Sequence, residues 1–398
     1  MEENYRSKPD IVSSADSFIA RNQFRHPKEM FPSRQDKEKA ISVLTVHNRY
    51  GQISYLAKVA EDCKQQTAVL YRDNESVLPL VDVLLSRNIP FNIRSAELTF
   101  FTHSTVQDVL DMIRLGQDPT DTEAFLRIYY KLGTYLDKQG ALRVAATCKN
   151  TKLPLDKAIA RDESISYRVK NNWKEVWQAL RSVRSFDAFT ALSHLLYQTE
   201  YMDYLERFQK STSKIEILKS LSRGKKNAME FTQRLSFLKD TLSSKQYIPG
   251  CPLTLSTIHS SKGLEYDTVF LLDVEDGILP NCPVPSGNAK KEEKMAYEEE
   301  RRLFYVAVTR AKERLFLFHY NSPSVFRDQL LQKQASGHDY QNYATSILPG
   351  TKVSHTTFGE GKVLSVDKAA ASIRVQFSDK ARKLNLKACY EKGVLVIL

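Results

Sequence analysis

The chain has 398 residues, 42% hydrophobic and 26% charged, with 58 lysines and arginines against 47 acids and a net charge of +11. This is the composition of a soluble globular protein of two to three domains, at roughly 150 residues each. It excludes a membrane span, since no apolar run approaches ~20 residues, and the five scattered cysteines (63, 148, 251, 282 and 389), with no CxxC pair, argue against a disulfide framework or a zinc site.

The N-terminus, Met1-Glu-Glu-Asn-Tyr-Arg, lacks the basic start and apolar core of a signal peptide, so a cytoplasmic location is expected. Asn4-Tyr5-Arg6-Ser7 precedes a helical pattern of Ile11, Ala15, Phe18 and Ile19. Ile41–Val46 and Thr67–Tyr71 read as buried strands around a helix at Ile53–Cys63, which is the βαβ alternation of a parallel sheet. A helix and a return strand follow up to Arg94. Arg72 and Asn74 lie just past a strand's carboxyl end, where ligands of open α/β sheets sit; a capping turn is the structural alternative.

From Phe101–Val106 to Leu253 the sheet grammar is absent and the pattern is helical. Val169, Trp173, Val176, Trp177 and Leu180 form one stripe, better read as core than as a base-stacking platform. Leu218, Leu221, Phe231, Leu235, Leu238 and Leu242 repeat the pattern. The basic loop Ser222-Arg-Gly-Lys-Lys-Asn227 is either a solvated hinge or a phosphate contact. Residues 106–248 hold 24 lysines and arginines against 17 acids, and residues 348–398 hold 9 against 4. Polyanion contacts are expected in these two stretches, with solvated lysines as the plain alternative.

Leu253-Thr-Leu-Ser-Thr-Ile-His-Ser-Ser-Lys-Gly-Leu-Glu265 and the run ending at Leu272 read as strand, loop, strand, both strands too apolar to have a wet face. Asp276–Pro280 and Pro283–Gly287 form a turn-rich loop. In Tyr297-Glu-Glu-Glu-Arg-Arg-Leu-Phe-Tyr-Val-Ala-Val-Thr-Arg310, the residues Leu303, Val306, Ala307 and Arg310 share one helix face, and another buried strand follows. An arginine on that inward face needs an anion, either a bound phosphate or one of Glu298, Glu299 and Glu300. Residues 331–347 read as a linker. From Pro349 onward, short alternating strands with Gly-containing turns describe a small β-barrel.

His259-Ser-Ser-Lys-Gly-Leu-Glu265 resembles motif V of the UvrD/PcrA/Rep helicases of superfamily 1, and Glu299-Glu-Arg-Arg-Leu-Phe-Tyr-Val-Ala-Val-Thr-Arg-Ala311 resembles their motif VI. Asn4–Ser7 resembles motif IV, and the strand, helix and return of Thr67–Arg94 resemble motif IVa. The resemblance implies an α/β fold: a RecA-like parallel-sheet domain 2A (1–105 and 249–330) interrupted by an all-helical insert 2B (106–248). A linker (331–347) and a Tudor/SH3-like barrel (348–398) follow. In that family the barrel docks on RNA polymerase; DNA binding by its basic strands is the alternative. The family's Gly-Ile-Gly hairpin is not recognisable, and only Lys131-Leu-Gly-Thr134 stands near its place.

The implied activity is ATP-dependent 3′ to 5′ translocation on single-stranded DNA and unwinding at single-strand/duplex junctions. The implied roles are adenine stacking by Tyr5, γ-phosphate contact by Arg6, ribose contact by Glu265, a nucleotide-side turn at Gly263 and an arginine finger at Arg310, with Arg302 its salt-bridged neighbour. Arg72, Asn74, Thr257, His259 and Lys262 are the implied DNA contacts. A capping carboxylate is the alternative for Glu265, and a plain loop histidine for His259.

Half of an ATP site is absent from the pattern. There is no G-x-x-x-x-G-K-[ST], since Gly224-Lys225 and Gly361-Lys362 lack a glycine five residues earlier, and no apolar strand ends in an Asp-Glu pair. No metal ligand is expected here, and Mg²⁺ is expected on an N-terminal lobe preceding this stretch, whose start so close to motif IV reads as an edge within a longer protein. Alone, the chain is expected to be inactive. The alternatives are a non-catalytic adaptor for DNA or RNA polymerase and, disfavoured by a small barrel where a nuclease domain is expected, a helicase–nuclease subunit of the AddA/RecB type.

Overall fold

The computed structural model describes residues 3–24, 30–36, 38–94, 98–332, 344–355, 358–367, 371–378, 380–386, 389 and 395–397. A two-residue strand β1 (Glu3–Asn4) pairs in parallel with β2 (Phe31–Pro32), and helix α1 (Pro9–Ile19) lies between them. The chain continues as β3 (Ile41–Thr45), α2 (Arg49–Glu61), β4 (Thr67–Tyr71), α3 (Leu78–Ser86) and β5 (Asn92–Arg94). After the short α4 (Thr99–Thr102), the helices α5 (Ser104–Gln117), α6 (Thr122–Ile128), α7 (Lys138–Thr151), α8 (Leu155–Arg161) and α9 (Tyr167–Arg181) follow. The run is completed by α10 (Ala188–Gln198), α11 (Tyr201–Arg207), α12 (Ser213–Ser222) and α13 (Ala228–Ser244). The sheet resumes with β6 (Leu253–Thr257) and β7 (Tyr266–Leu271), then α14 (Lys291–Val308), β8 (Ala311–His319) and α15 (Val325–Leu331).

These strands form one six-stranded parallel sheet in the order β3-β8-β7-β4-β6-β5. Strand alternation divides its side chains between two cores. Val69, Tyr71, Leu253, Leu255, Phe270 and Phe318 point to the face covered by α2, α3 and the inserted helices. Ala68, Leu70, Val269, Leu271, Leu315 and Leu317 point to the face covered by α1, α14 and α15. The continuous apolar runs of β4, β6 and β7 are thereby explained, since both faces are covered. β3 differs from the expected buried strand. It pairs only with β8, so it is an edge, and none of its five residues is fully buried.

The tryptophan stripe is core: Trp173 and Trp177 are buried among the insert helices, stacked with centroids 6.1 Å apart. The insert is pinned to the sheet domain by charge as well as by that shared core. Lys214 pairs with Glu75 (2.6 Å) and Lys225 with Asp82 (2.9 Å), and Arg234 also binds Asp82. The loop at 222–227 therefore docks on α3, and Arg223 lies 4.2 Å over the Phe189 ring.

Most of the expected linker (333–343) lies outside the described residues, whereas Ile347 is buried in a third core with Val353, Val363, Ile373, Val375 and Phe377. That core belongs to a five-stranded antiparallel sheet of β9 (Lys352–His355), β10 (Gly359–Asp367), β11 (Ser372–Phe377), β12 (Ala381–Asn385) and β13 (Leu395–Ile397). Their order is β12-β11-β10-β9-β13. Among the described residues the two outer strands do not pair with each other. No helix among the described residues is long and apolar enough to cross a membrane.

Asp273, one residue beyond Leu272 at the carboxyl edge of the sheet, is buried in a left-handed conformation (φ 52°) and joined to Arg49 (2.5 Å) and Gln52 (2.5 Å) of α2. Burial works to lower the Arg49 pKa, but Asp273 and Tyr320 outweigh it and the net shift is upward. Removing one partner strands the other charge in the interior. Asp273→Ala is expected to destabilise the sheet domain by about 3–5 kcal/mol, measured as a lowered urea midpoint; a loss under ~1 kcal/mol would show that the pair is not structural.

Candidate nucleotide and nucleic-acid site

The tetrapeptide Asn4–Ser7 owes its shape to its two ends. The Asn4 side-chain oxygen accepts from the backbone N–H groups of Arg6 (2.9 Å) and Ser7 (3.1 Å), a local Asx turn. The Ser7 hydroxyl donates to the Ala311 carbonyl (2.7 Å), and the Lys8 N–H to that of Lys312 (2.9 Å). Arg34, fixed on Glu313 (2.6 Å), donates to the Arg6 carbonyl (3.1 Å). With the backbone tied down on both sides, Tyr5 and Arg6 are thrust outward. Tyr5 is 67% exposed, leaving an open ring face.

Arg6 forms an ion pair with Glu265, the residue immediately before β7. Arg310, immediately before β8, lies beside them. Its guanidinium donates to the carbonyls of Val306 (3.0 Å) and Leu264 (2.9 Å) and to the Thr309 hydroxyl (3.1 Å). Burial pulls its pKa below the usual arginine range; Glu265 opposes that and Arg6 adds to it. Gly263, in the loop before Glu265, has φ +82°, a left-handed conformation in which a side chain is strained. Arg6, Glu265 and Arg310 thus gather at the amino-terminal edge of β7 and β8, with Tyr5 exposed next to Arg6 in the chain.

None of the three glutamates considered for Arg310 binds it. Glu298 accepts the N–H groups of Gln23 (2.7 Å) and Phe24 (3.0 Å), Glu299 pairs with Arg302 (2.6 Å), and Glu300 binds Arg72 (2.8 Å). Arg302 is salt-bridged, to Glu299 and Glu298, but it stands eight residues, about 12 Å of helix, before Arg310. Glu298 and Glu300 were not singled out in the sequence by role. Successive helical residues point about 100° apart, which sends Glu298 and Glu300 to different neighbours.

The other group of expected residues lies at the opposite end of the sheet. Arg72 and Asn74 follow the carboxyl end of β4, and Thr257 ends β6. Arg72 is held by Glu300, whose other oxygen accepts the Asn281 N–H (3.1 Å). Asn74 opens a single 3₁₀ turn, Asn74–Val77. The Thr257 hydroxyl oxygen accepts the Ser260 N–H (3.1 Å), a capping role for the turn His259–Ser261. His259 and Lys262 line a cleft of about 510 Å³ with Ile19, Leu303, Tyr305 and Val306, a cleft that none of the first four residues lines. Lys131, in the expected hairpin region of the insert, is turned inward onto Asp108 (2.5 Å), which also accepts from the Tyr201 hydroxyl (2.8 Å).

With two polar sets at the two edges of a parallel sheet, comparison with known proteins gives the frame. Residues 1–248 and 170–322 match the family described as the UvrD-like helicase C-terminal domain. The chain belongs to that family. It is 29% identical over 379 residues to the ATP-dependent DNA helicase Rep of Buchnera aphidicola (subsp. Schizaphis graminum), covering 84% of this chain and 56% of that protein. Against the ATP-dependent DNA helicase PcrA of Bacillus subtilis it is 26% identical, covering 82% of this chain and 47% of that one. Against DNA helicase II of Haemophilus influenzae the identity is 26%, with 96% and 59% covered. The chain spans about half the length of the curated relatives it matches.

Burial, then the charges of Arg72 and Lys262, hold the His259 imidazole below its ordinary 6.5, with Glu300 and Glu299 opposing. Its neutral form is therefore favoured on folding, and stability decreases as pH falls from 6.5 to the folded value. Arg72→Ala removes a cation and releases Glu300, so both changes favour the imidazolium. An NMR titration is expected to show the His259 pKa below 6.5 in the parent and raised in the variant; a lower value in the variant contradicts the assignment.

Proposed function

We propose that this chain supplies the sensing half of the ATP site, and part of the single-stranded DNA track, of an ATP-dependent DNA helicase that moves 3′ to 5′. A lobe bearing the phosphate-binding loop and the Mg²⁺ carboxylate completes it. The observation that carries the reading is Arg310: a half-buried guanidinium whose hydrogen-bond partners are all neutral oxygens. Such a cation favours an incoming anion. The surrounding donors fit ATP, which with its Mg²⁺ would bring the transferable phosphoryl group.

Tyr5 would cover the adenine with its exposed face. Arg6 would leave Glu265 and turn to the phosphates, and Glu265 would then accept from the ribose hydroxyls. That exchange is cheap, because the Arg6 side chain is 66% exposed and an exposed ion pair contributes about 0–1 kcal/mol. Arg310 would neutralise charge growing on the phosphoryl oxygens, with Gly263 keeping the adjacent loop free of a side chain. On the segment that crosses between the two edges, Lys262 and His259 would meet the DNA backbone, with Thr257, Asn74 and Arg72 at the carboxyl edge; Arg72 would do so only after exchanging Glu300 for a phosphate. The insert is read as domain 2B, 106–248, and the C-terminal strands as a Tudor/SH3-like barrel, 348–398. No specific observation favours the adaptor reading or a polymerase contact.

Co-expressed with the completing lobe, Arg310→Ala is expected to lower DNA-stimulated ATP turnover about 10³-fold while ATP binding persists. Turnover within a few-fold of the parent would remove the finger role. The chain by itself is expected to show no hydrolysis above background.

A further inference from the structure

Alternation along the C-terminal sheet sends Val353, Val363, Ile373 and Val375 into the third core and their neighbours outward. The strand register then sets like charges against each other. Lys352 stands directly opposite Lys362, and Arg374 directly opposite Lys383. Lys362 also faces Gln376, which lies two residues from Arg374 and on the same side, so the two pairs are diagonal neighbours. Directly opposed Cβ atoms are about 4.5–5.5 Å apart and diagonal ones about 7–8 Å. All four side chains are exposed, and none has an ion-pair or hydrogen-bond partner among the described residues. Glu360, two residues from Lys362 on this same side, is not paired with them.

Opposed like charges are unfavourable across a sheet, and a domain of about 50 residues has a thin core to offset them. An external polyanion resolves that conflict. A folded protein partner is gripped through aromatic or apolar anchors in pockets. Here, among the described residues, Leu348 and Leu364 are the large apolar side chains exposed, and no aromatic is. A phosphate backbone needs only spread cations, and each DNA strand presents one phosphate per about 3.4 Å of axis.

We infer that the outward face of β9–β12 binds the phosphate backbone of nucleic acid through Lys352, Lys362, Arg374 and Lys383, independently of base sequence. The face shares no residue with the nucleotide cluster, so this inference stands or falls apart from the proposed motor function.

The test uses the full chain with fluorescein-labelled single-stranded and duplex oligonucleotides, reading anisotropy across a salt series. In the variant Lys352→Gln/Lys362→Gln/Arg374→Gln/Lys383→Gln, the slope of log K against log salt is expected to become shallower by about 3 on the single strand and by more on the duplex, at ~0.7 and ~0.9 per lost contact. Its affinity at low salt is expected to fall at least tenfold. Because two repulsive pairs are gone, the sheet should melt no lower than in the parent. A slope and affinity equal to the parent's would overturn the inference. A second measurement needs no variant: acetylation of the parent chain by N-hydroxysuccinimidyl acetate, read by mass spectrometry. The oligonucleotide is expected to protect Lys352, Lys362 and Lys383, and polyglutamate of equal charge is not. Unchanged labelling, or equal protection by polyglutamate (an acidic polypeptide as the ligand), would overturn it.

Discussion

The backbone hydrogen bond from the Tyr266 N–H to the Arg310 carbonyl (2.9 Å) ties together two stretches 44 residues apart, and the site depends on it. Because β7 and β8 are parallel and Tyr266 is in register with Ala311, both strands start at one level. The last loop residue before each, Glu265 and Arg310, is therefore brought to the same edge. The Ser7 hydroxyl on the Ala311 carbonyl brings the third stretch there. One such bond contributes only about 1 kcal/mol net. What makes the arrangement firm is burial of the strands on both faces, which specifies the register that the hydrogen bonds follow.

Within that frame, burial decides which charges are fixed and which are free to exchange. Asp273 and Arg49 are nearly inaccessible and hold α2 against the sheet; parting them leaves a charge in the interior. Glu298 is equally committed, to backbone N–H groups that precede the described part of the chain resuming at Met30. Arg301 is buried among the rings of Phe18, Tyr297 and Phe326 and donates to Asn22 (2.8 Å) and Gln329 (3.1 Å). Adjacent arginines on α14 thus have opposite uses: Arg301 is structural, Arg302 lies at the surface. Arg6 with Glu265 is the open pair. A ligand can replace either partner with little loss, which is a property that buried pairs do not have.

Local pattern made the elements legible and left their partners obscure. The apolar runs of β4, β6 and β7 announced a buried parallel sheet, and the spacing of Trp173, Val176, Trp177 and Leu180 announced a core helix. The edge position of β3 was not legible, because Ile41–Thr45 is as apolar as a central strand and strand order is a property of topology. Arg72 looked free because Glu300 is 228 residues away. The loop at 222–227 reads equally as a solvated hinge or a phosphate contact for the same reason, since Asp82 is 143 residues from Lys225. The Asx turn at Asn4 is local and could be anticipated; the grip of Ser7 on Ala311 depends on sheet register and could not. Cross-strand charge opposition in the C-terminal sheet was invisible until the register of β9, β10, β11 and β12 was known.

The two polar sets are linked by geometry as well as by family membership. Thr257 ends β6 at the carboxyl edge of the sheet, and Glu265 precedes β7 at the amino edge. Residues 258–265 must therefore cross the sheet in one pass, about the length of a five-residue strand at ~3.3 Å per residue. Extended, eight residues would span about 26 Å, and the turn His259–Ser261 takes up part of the excess. The path is pinned at intervals: Ile258 is fully buried, its N–H donates to the Tyr71 carbonyl (3.0 Å), and the Ser261 hydroxyl donates to the Ile258 carbonyl (2.7 Å). Leu264 is fixed from the far side by Arg310 on its carbonyl. His259 and Lys262 ride on this strap between its anchors. Arg310 thus holds the far end of the strap that carries His259 and Lys262, so the two polar sets share one anchored segment.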